Sequence, residues 1–285
     1  MYDQLIVFMQ YILPKHCITR VYGFLAGIRQ TAIKNYFIRK FIRKFHVDMQ
    51  EAQHQDPSDY PDFHAFFSRH LREGVRTIDA QANSMASPVD GSVSEVGVVK
   101  EGQLIQAKNR YYSVYDLLGQ DREAADRFSS AKFITLYLAP KDYHRVHMPY
   151  AGRLREMTYI PGQLFSVRPA TVKYISNLFT RNERVVCLFE TEHGPMAVIF
   201  VGAAIVGSIH TAWHGQVTPV PGRRVRHWEY PTETAPVFAK GDDIGHFTLG
   251  STIIILSAEG GLDWEAALQP GTEVKLGQRL GVFSR

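Results

Sequence analysis

On a helical wheel the stretch from Asn35 to His46 separates into two faces. Phe37, Ile38, Phe41, Ile42 and Phe45 fill one arc, and Arg39, Lys40, Arg43 and Lys44 fill the opposite one, the pattern of an amphipathic helix. Asp48 to Arg76 predicts a polar helix, with Phe63, Phe66, Phe67 and Leu71 as its buried stripe and Asp56-Pro57-Ser58-Asp59 as a turn or cap. From about Ser84 the pattern changes to short apolar runs between turns. Val93–Val99, Leu104–Ala107, Phe133–Leu138, Val185–Phe189, Met196–Val201 and Ala204–Ile209 each predict a strand. Tyr115 to Arg127 is the one clear helical interruption, and Ile253-Ile254-Ile255-Leu256 predicts a buried strand. Many short strands with glycine-rich turns and no strand–helix alternation predict an α+β chain. Its core is a mainly antiparallel β barrel or sandwich, preceded by an N-terminal amphipathic helical region. The division falls between residues 1–76 and a β-rich domain, 77–285.

Charge sharpens this picture. The net charge of +4 is unevenly spread: residues 1–46 carry eight basic side chains against one acid, Asp3, so the remainder is slightly acidic. A basic amphipathic helix with aromatic residues on its apolar face suits an anionic membrane surface. The alternative is a core-packed helix whose outer face is basic. Nucleic acid is disfavoured as a partner, because the basic cluster comes with bulky aliphatics rather than polar base-reading residues. Leu5–Met9 and Tyr11–Leu13 are short, and no stretch approaches the roughly 20 apolar residues of a spanning helix. The apolar run precedes the charges and no small-residue cleavage site follows, unlike a signal peptide. Cys17 and Cys187 stand far apart with no CxxC, which argues against a disulfide framework and for a reducing compartment. The apolar content of 45% is ample for a packed core.

Leu249-Gly250-Ser251-Thr252 holds the most distinctive chemistry. With no side chain, Gly250 leaves its carbonyl open to attack by the Ser251 hydroxyl. The resulting ester can eliminate across Cα–Cβ of Ser251, cutting the chain and leaving a dehydroalanine that hydrolyses to a pyruvoyl group. The plainer reading is a Gly-Ser turn that opens a strand. Ser87–Gly91 is by itself an Asp-Gly turn. Pro140–Pro149 is denser, with Asp142, His144 and His147 between two prolines. The His-x-x-His spacing is a weak metal signal with no third ligand nearby, and two turn histidines with ordinary hydrogen bonds fit it as well. A nucleophilic serine needs a base, and the base an orienting carboxylate. Asp90 or Asp142 could supply it.

Several motifs now align in order. Pro88-Val89-Asp90-Gly91, Asp142–Pro149, Pro161–Val167, Arg181–Val185 and Leu249–Thr252, with Tyr11-Ile12-Leu13-Pro14 near the start, resemble the motifs of bacterial phosphatidylserine decarboxylases. The resemblance covers nearly the whole chain. Arg168 departs from it, where an asparagine is expected after Phe-Ser-Val.

The resemblance implies that Asp90, His147 and Ser251 form a self-processing triad, with Asp142 as a second orienting acid. They would cut Gly250–Ser251 into chains 1–250 and 251–285, the two products of one precursor. The cofactor implied is a pyruvoyl group derived from Ser251, with no metal. Its ketone would form a Schiff base with the serine amine of phosphatidylserine and act as electron sink for loss of carbon dioxide. The product is phosphatidylethanolamine, a step of phospholipid biosynthesis. His144 is the implied proton donor, suited to it by a near-neutral titration. Phe165 and Ser166 are candidate substrate contacts. A lipid substrate also implies a peripheral enzyme on the cytoplasmic face of the inner membrane, held there by the two faces of the 35–46 helix; a homodimer is compatible. Two rivals make different forecasts. An Asp–His–Ser lipid hydrolase keeps an intact chain and usually shows Gly-x-Ser-x-Gly, which is absent around Ser251. In a non-catalytic, membrane-bound β module the same residues are only turns.

Overall fold

The apolar run at 253–256 forms the middle of the strand Ser251–Ser257, every residue of which is buried. The computed structural model describes residues 10–12, 15–203, 208–219, 224–248, 251–258 and 261–284. Gly194–Val201 and Lys132–Leu138 pair antiparallel with this strand on its two sides, Ile254 standing opposite Ile199 and Thr135. Paired on both edges and covered on both faces, the strand needs no polar alternation. Among the described residues its sheet has nine strands. The order is Arg226–Glu229, Gly152–Ile160, Arg184–Thr191, Gly194–Val201, Ser251–Ser257, Lys132–Leu138, Gly91–Val98 and Glu273–Val274, with Val237–Phe238 also on Gly152–Ile160. The fold is α+β, and its pairing is antiparallel as expected. The sheet stays open instead of forming a barrel, because an edge strand of two residues, Glu273–Val274, is too short to carry it round to closure.

A second sheet contains Gly215–Gln216, Ile209–Thr211, Asp243–Phe247 and Arg145–His147 in that order. The chain leaves the large sheet after Leu138 to enter this one, and returns from it between Phe247 and Ser251. Two pairings hold these crossings side by side. Ser251 lies opposite Leu138, and Phe247 N–H donates to the His144 carbonyl at 3.0 Å. The Asp90 turn approaches the same corner. A Cβ on Gly91 would stand 2.4 Å from the Tyr137 carbonyl oxygen, so only glycine lets the turn come so close.

Three helical expectations change. Tyr115 to Arg127 is two short helices, Val114–Leu117 and Arg122–Arg127. Gly119 and Gln120 between them adopt φ of 83° and 69°, a left-handed conformation that ends the first helix, and Asp121 caps the second by accepting from Ala124 N–H. Pro169–Tyr174 and Leu178–Arg181 are further short helices. Asp48 to Arg76 holds only a 3-10 turn, Pro57–Asp59, and one short helix, Phe63–Phe67. Asp56 and Asp62 accept backbone N–H groups of Ser58 and Ala65, so each starts a new turn rather than continuing a helix.

Helix α1 (Lys15–Ala26) and helix α2 (Thr31–Phe45) precede this segment. The apolar arc of α2 faces the protein. Ile38 is fully buried, and Phe41, Ile42 and Phe45 pack on a small core with Val47, Tyr60 and Phe66. The Phe41 ring lies 5.1 Å from Phe63 and 5.9 Å from Phe67. Of the five apolar residues expected to meet a membrane, Phe37 alone is exposed, at 38%. Residues 47–67 fold back over Ile38 and bury it, while Phe41, Ile42 and Phe45 stay part-buried against them, and Phe37, Phe41 and Phe45 also line a groove shared with α1. Arg39, Lys40, Arg43 and Lys44 remain exposed. Further uncovered apolar surface lies on α1, where Phe24 is 78% and Val21 58% exposed, and on α2 Tyr36 is 56% exposed. The runs at 5–9 and 204–207, Leu13-Pro14 and Leu249-Gly250 lie outside the described residues.

Candidate active site

Ser251 heads the central strand at the corner between the two sheets. It is fully buried, and among the described residues its Oγ has no hydrogen-bond partner. A buried hydroxyl without a partner is costly in a core and common where chemistry needs the group free. His144 occupies the same corner on the neighbouring crossing, also fully buried. Its Nδ1 donates to the Asp142 carbonyl at 2.8 Å, which leaves Nε2 with the lone pair, and Nε2 too has no partner. The Phe67 ring covers the imidazole at 4.1 Å. Burial pushes the His144 pKa down to about 3, so the ring is neutral. The near-neutral titration expected from sequence is thereby corrected, since periodicity gives no hint of this enclosure.

His147 is held differently. Its Nδ1 donates to the Gly241 carbonyl at 2.7 Å, and its Nε2 accepts from the Tyr143 hydroxyl at 3.1 Å. Its backbone N–H donates to the Pro88 carbonyl at 2.9 Å. Asp90 therefore stands on a turn that His147 touches through the backbone, and its carboxylate points elsewhere. That carboxylate accepts from Arg76 Nε at 2.9 Å, from Arg76 Nη2, from Leu276 N–H at 2.8 Å and from Lys275 Nζ at 3.4 Å. Burial alone would raise its pKa, but these donors outweigh it and hold the carboxyl below the usual range. Arg76 also pairs with Glu51. The three residues expected as a triad thus share one region, while His147 takes Gly241 and Tyr143 as its side-chain partners. Asp142 caps its own turn by accepting from Ala139 N–H at 2.7 Å, and burial raises its pKa.

Phe165 and Ser166 lie on a loop tied to the same end of the large sheet. Asn182, fully buried, accepts from Phe165 N–H and donates to the carbonyls of Phe165 and Gly202. Gly202 follows Val201, which pairs with Thr252. Arg168 lines an apolar groove of about 430 Å³ with Tyr22, Leu25 and Phe37 of the N-terminal helices. Among the described residues no group of three or more His, Cys, Asp or Glu side chains could hold a metal ion.

A family model described as phosphatidylserine decarboxylase matches residues 63–282. The chain belongs to the phosphatidylserine decarboxylase family. A second model, described as PSD, matches residues 5–46. The chain is 46% identical to a phosphatidylserine decarboxylase proenzyme of Alcanivorax borkumensis over 99% of this chain and 97% of that one. It is 47% identical to a proenzyme of the same name from Shewanella putrefaciens, over 98% and 96%. A third, from Stutzerimonas stutzeri, is 48% identical over 99% and 95%. In this phosphatidylserine decarboxylase fold, sequence reasoning passed over Arg76, Tyr143 and Gly241, which hold Asp90 and His147 in place. Residues 76, 90 and 275 meet only through long-range pairing, so no local spacing could have revealed them.

Proposed function

We propose that this chain cuts itself between Gly250 and Ser251 and decarboxylates phosphatidylserine with the pyruvoyl group that Ser251 becomes. The observation that carries this is the buried Ser251 hydroxyl without a partner, in a chain whose relatives are named as proenzymes. The hydroxyl attacks the Gly250 carbonyl, and the peptide becomes an ester as the amine is released. Loss of the Ser251 Cα proton with the Gly250 carboxylate as leaving group then cuts the chain. The new end hydrolyses with release of ammonia. His147 is the base for these proton transfers: the Gly241 carbonyl keeps the proton on Nδ1, so Nε2 is the accepting end once the Tyr143 hydroxyl gives way to the serine. Asp90 positions His147 through the 88–91 turn, with Asp142 as the second acid.

The pyruvoyl carbonyl supplies the electron sink for departure of carbon dioxide. Neutral His144 begins as an acceptor: Nε2 takes up a proton before it returns one to the substrate's α-carbon. Phe67 covers the imidazole and excludes water from it. Phe165 and Ser166 border the substrate. Release of labelled carbon dioxide from carboxyl-labelled phosphatidylserine tests the reading. Borohydride, which reduces a ketone, abolishes that release; activity that survives reduction contradicts a pyruvoyl enzyme.

The enzyme sits on the cytoplasmic face of the inner membrane, held by exposed α1 side chains and the basic face of α2. No helix among the described residues is long and apolar enough to cross a membrane. Replacing Val21 and Phe24 by serine releases the protein from anionic vesicles with little dependence on salt, because the loss is hydrophobic. Replacing Arg39, Lys40, Arg43 and Lys44 by glutamine also releases it, by roughly two to three orders of magnitude at low salt and less at high salt. Phe41→Ser lowers the melting temperature instead, since that ring packs on the small core beneath α2. Co-sedimentation beside a melting curve separates the three, and a glutamine variant that sediments like wild type at low salt rules out the electrostatic part.

A further inference from the structure

Arg69 is a buried cation with most of its donors unused. The side chain is 4% exposed, and among the described residues its Nε and Nη1 have no hydrogen-bond partner. Its described hydrogen bond runs from Nη2 to the Lys141 carbonyl, at 3.3 Å. The carboxylates within its electrostatic reach, Asp90 and Glu51, are both already paired with Arg76. A buried guanidinium with open N–H groups is costly unless an anion comes to it.

Its surroundings place it at the site. Phe67, two residues earlier, stacks on His144. Lys141, whose carbonyl Arg69 holds, lies in the turn that carries Asp142 and His144. The charge of Arg69 is felt directly at the His144 ring. A headgroup that reaches the enclosed Ser251 and His144 is therefore inside the same enclosure as Arg69.

We propose that Arg69 binds the phosphodiester of the phospholipid headgroup, an inference that rests on the decarboxylase reading above. A planar guanidinium with Nε and Nη1 free, and a second Nη2 hydrogen to complete a fork with either, matches two phosphoryl oxygens. The substrate carboxylate is the wrong anion for it. A cation paired with that carboxylate would stabilise the charge that must be lost as neutral carbon dioxide, raising the barrier. The phosphodiester keeps its charge throughout, so holding it positions the headgroup without opposing the reaction.

The test uses two soluble substrates, dihexanoyl phosphatidylserine and O-hexyl-L-serine, which has the amine and carboxylate but an ether in place of the phosphodiester. Wild type prefers the first. Arg69→Met still yields two chains, and its kcat/KM falls about 10- to 100-fold on the phosphodiester substrate. On O-hexyl-L-serine it stays within about threefold of wild type, so the preference collapses. Arg69→Lys, which keeps the charge and loses the fork, falls between them and serves if the methionine variant does not fold. Equal losses on both substrates, or wild type with no preference, overturn the proposal. So does a variant that remains one chain, which would tie Arg69 to self-cleavage. Turnover of dihexanoyl phosphatidylserine by wild type reports separately on the decarboxylase reading.

Discussion

Ser251→Ala leaves a single chain of 285 residues and no decarboxylation. The hydroxyl supplies both the nucleophile and the Cβ–O bond whose elimination cuts the chain, and alanine has neither. The effect is all-or-none, because without the cut no ketone forms. The variant also makes a clean control. The Ser251 Oγ has no hydrogen-bond partner to lose, and removing a buried unsatisfied hydroxyl is close to neutral for stability. Its melting temperature therefore stays near that of uncut wild type. A denaturing gel reads the outcome. If the alanine variant still yields two chains, the cut lies elsewhere or a protease makes it.

His144→Ala and His147→Ala part company at the same gel. His147→Ala remains largely one chain, because the base with Nδ1 fixed on Gly241 is gone. His144→Ala cleaves into two chains yet turns over poorly, with kcat down by about 10²–10⁴-fold, the usual range for a general acid–base group. The geometry sharpens this contrast. Among the described residues His144 Nε2 and Ser251 Oγ are both buried and both without partners, so His144 is a rival for the role of His147 at the serine. An uncleaved His144→Ala protein would make that reassignment. Cleavage in a folded His147→Ala protein would make it from the other side.

What the sequence made legible follows physical range. The strand Ser251–Ser257 was readable because a strand buried on both faces writes itself as a continuous apolar run. The two faces of α2 were readable too, but not what each would meet. Burial of Ile38 and packing of Phe41 depend on residues 47–67 folding back against them, a tertiary event that periodicity does not encode. The helix expected at 115–127 broke where Gly119 and Gln120 turn left-handed, a signal the glycine carried and the apolar stripe concealed. The site divides in the same way. Asp90, His144, His147 and Ser251 stand out in short motifs, whereas the partners that orient them, Arg76, Tyr143 and Gly241, come from distant segments. The neutral state of His144 was illegible, because its pKa of about 3 is a consequence of enclosure, not of composition.

The central claim is that the chain makes its own ketone from Ser251. The mass of the purified, denatured wild-type protein tests it most directly. The account predicts two polypeptides, residues 1–250 and a small chain of 35 residues from position 251. The small chain is lighter by one ammonia than the same peptide beginning with serine, and it has no free N-terminal amine. One intact chain with serine at 251, or a small chain that begins with an ordinary serine, contradicts it.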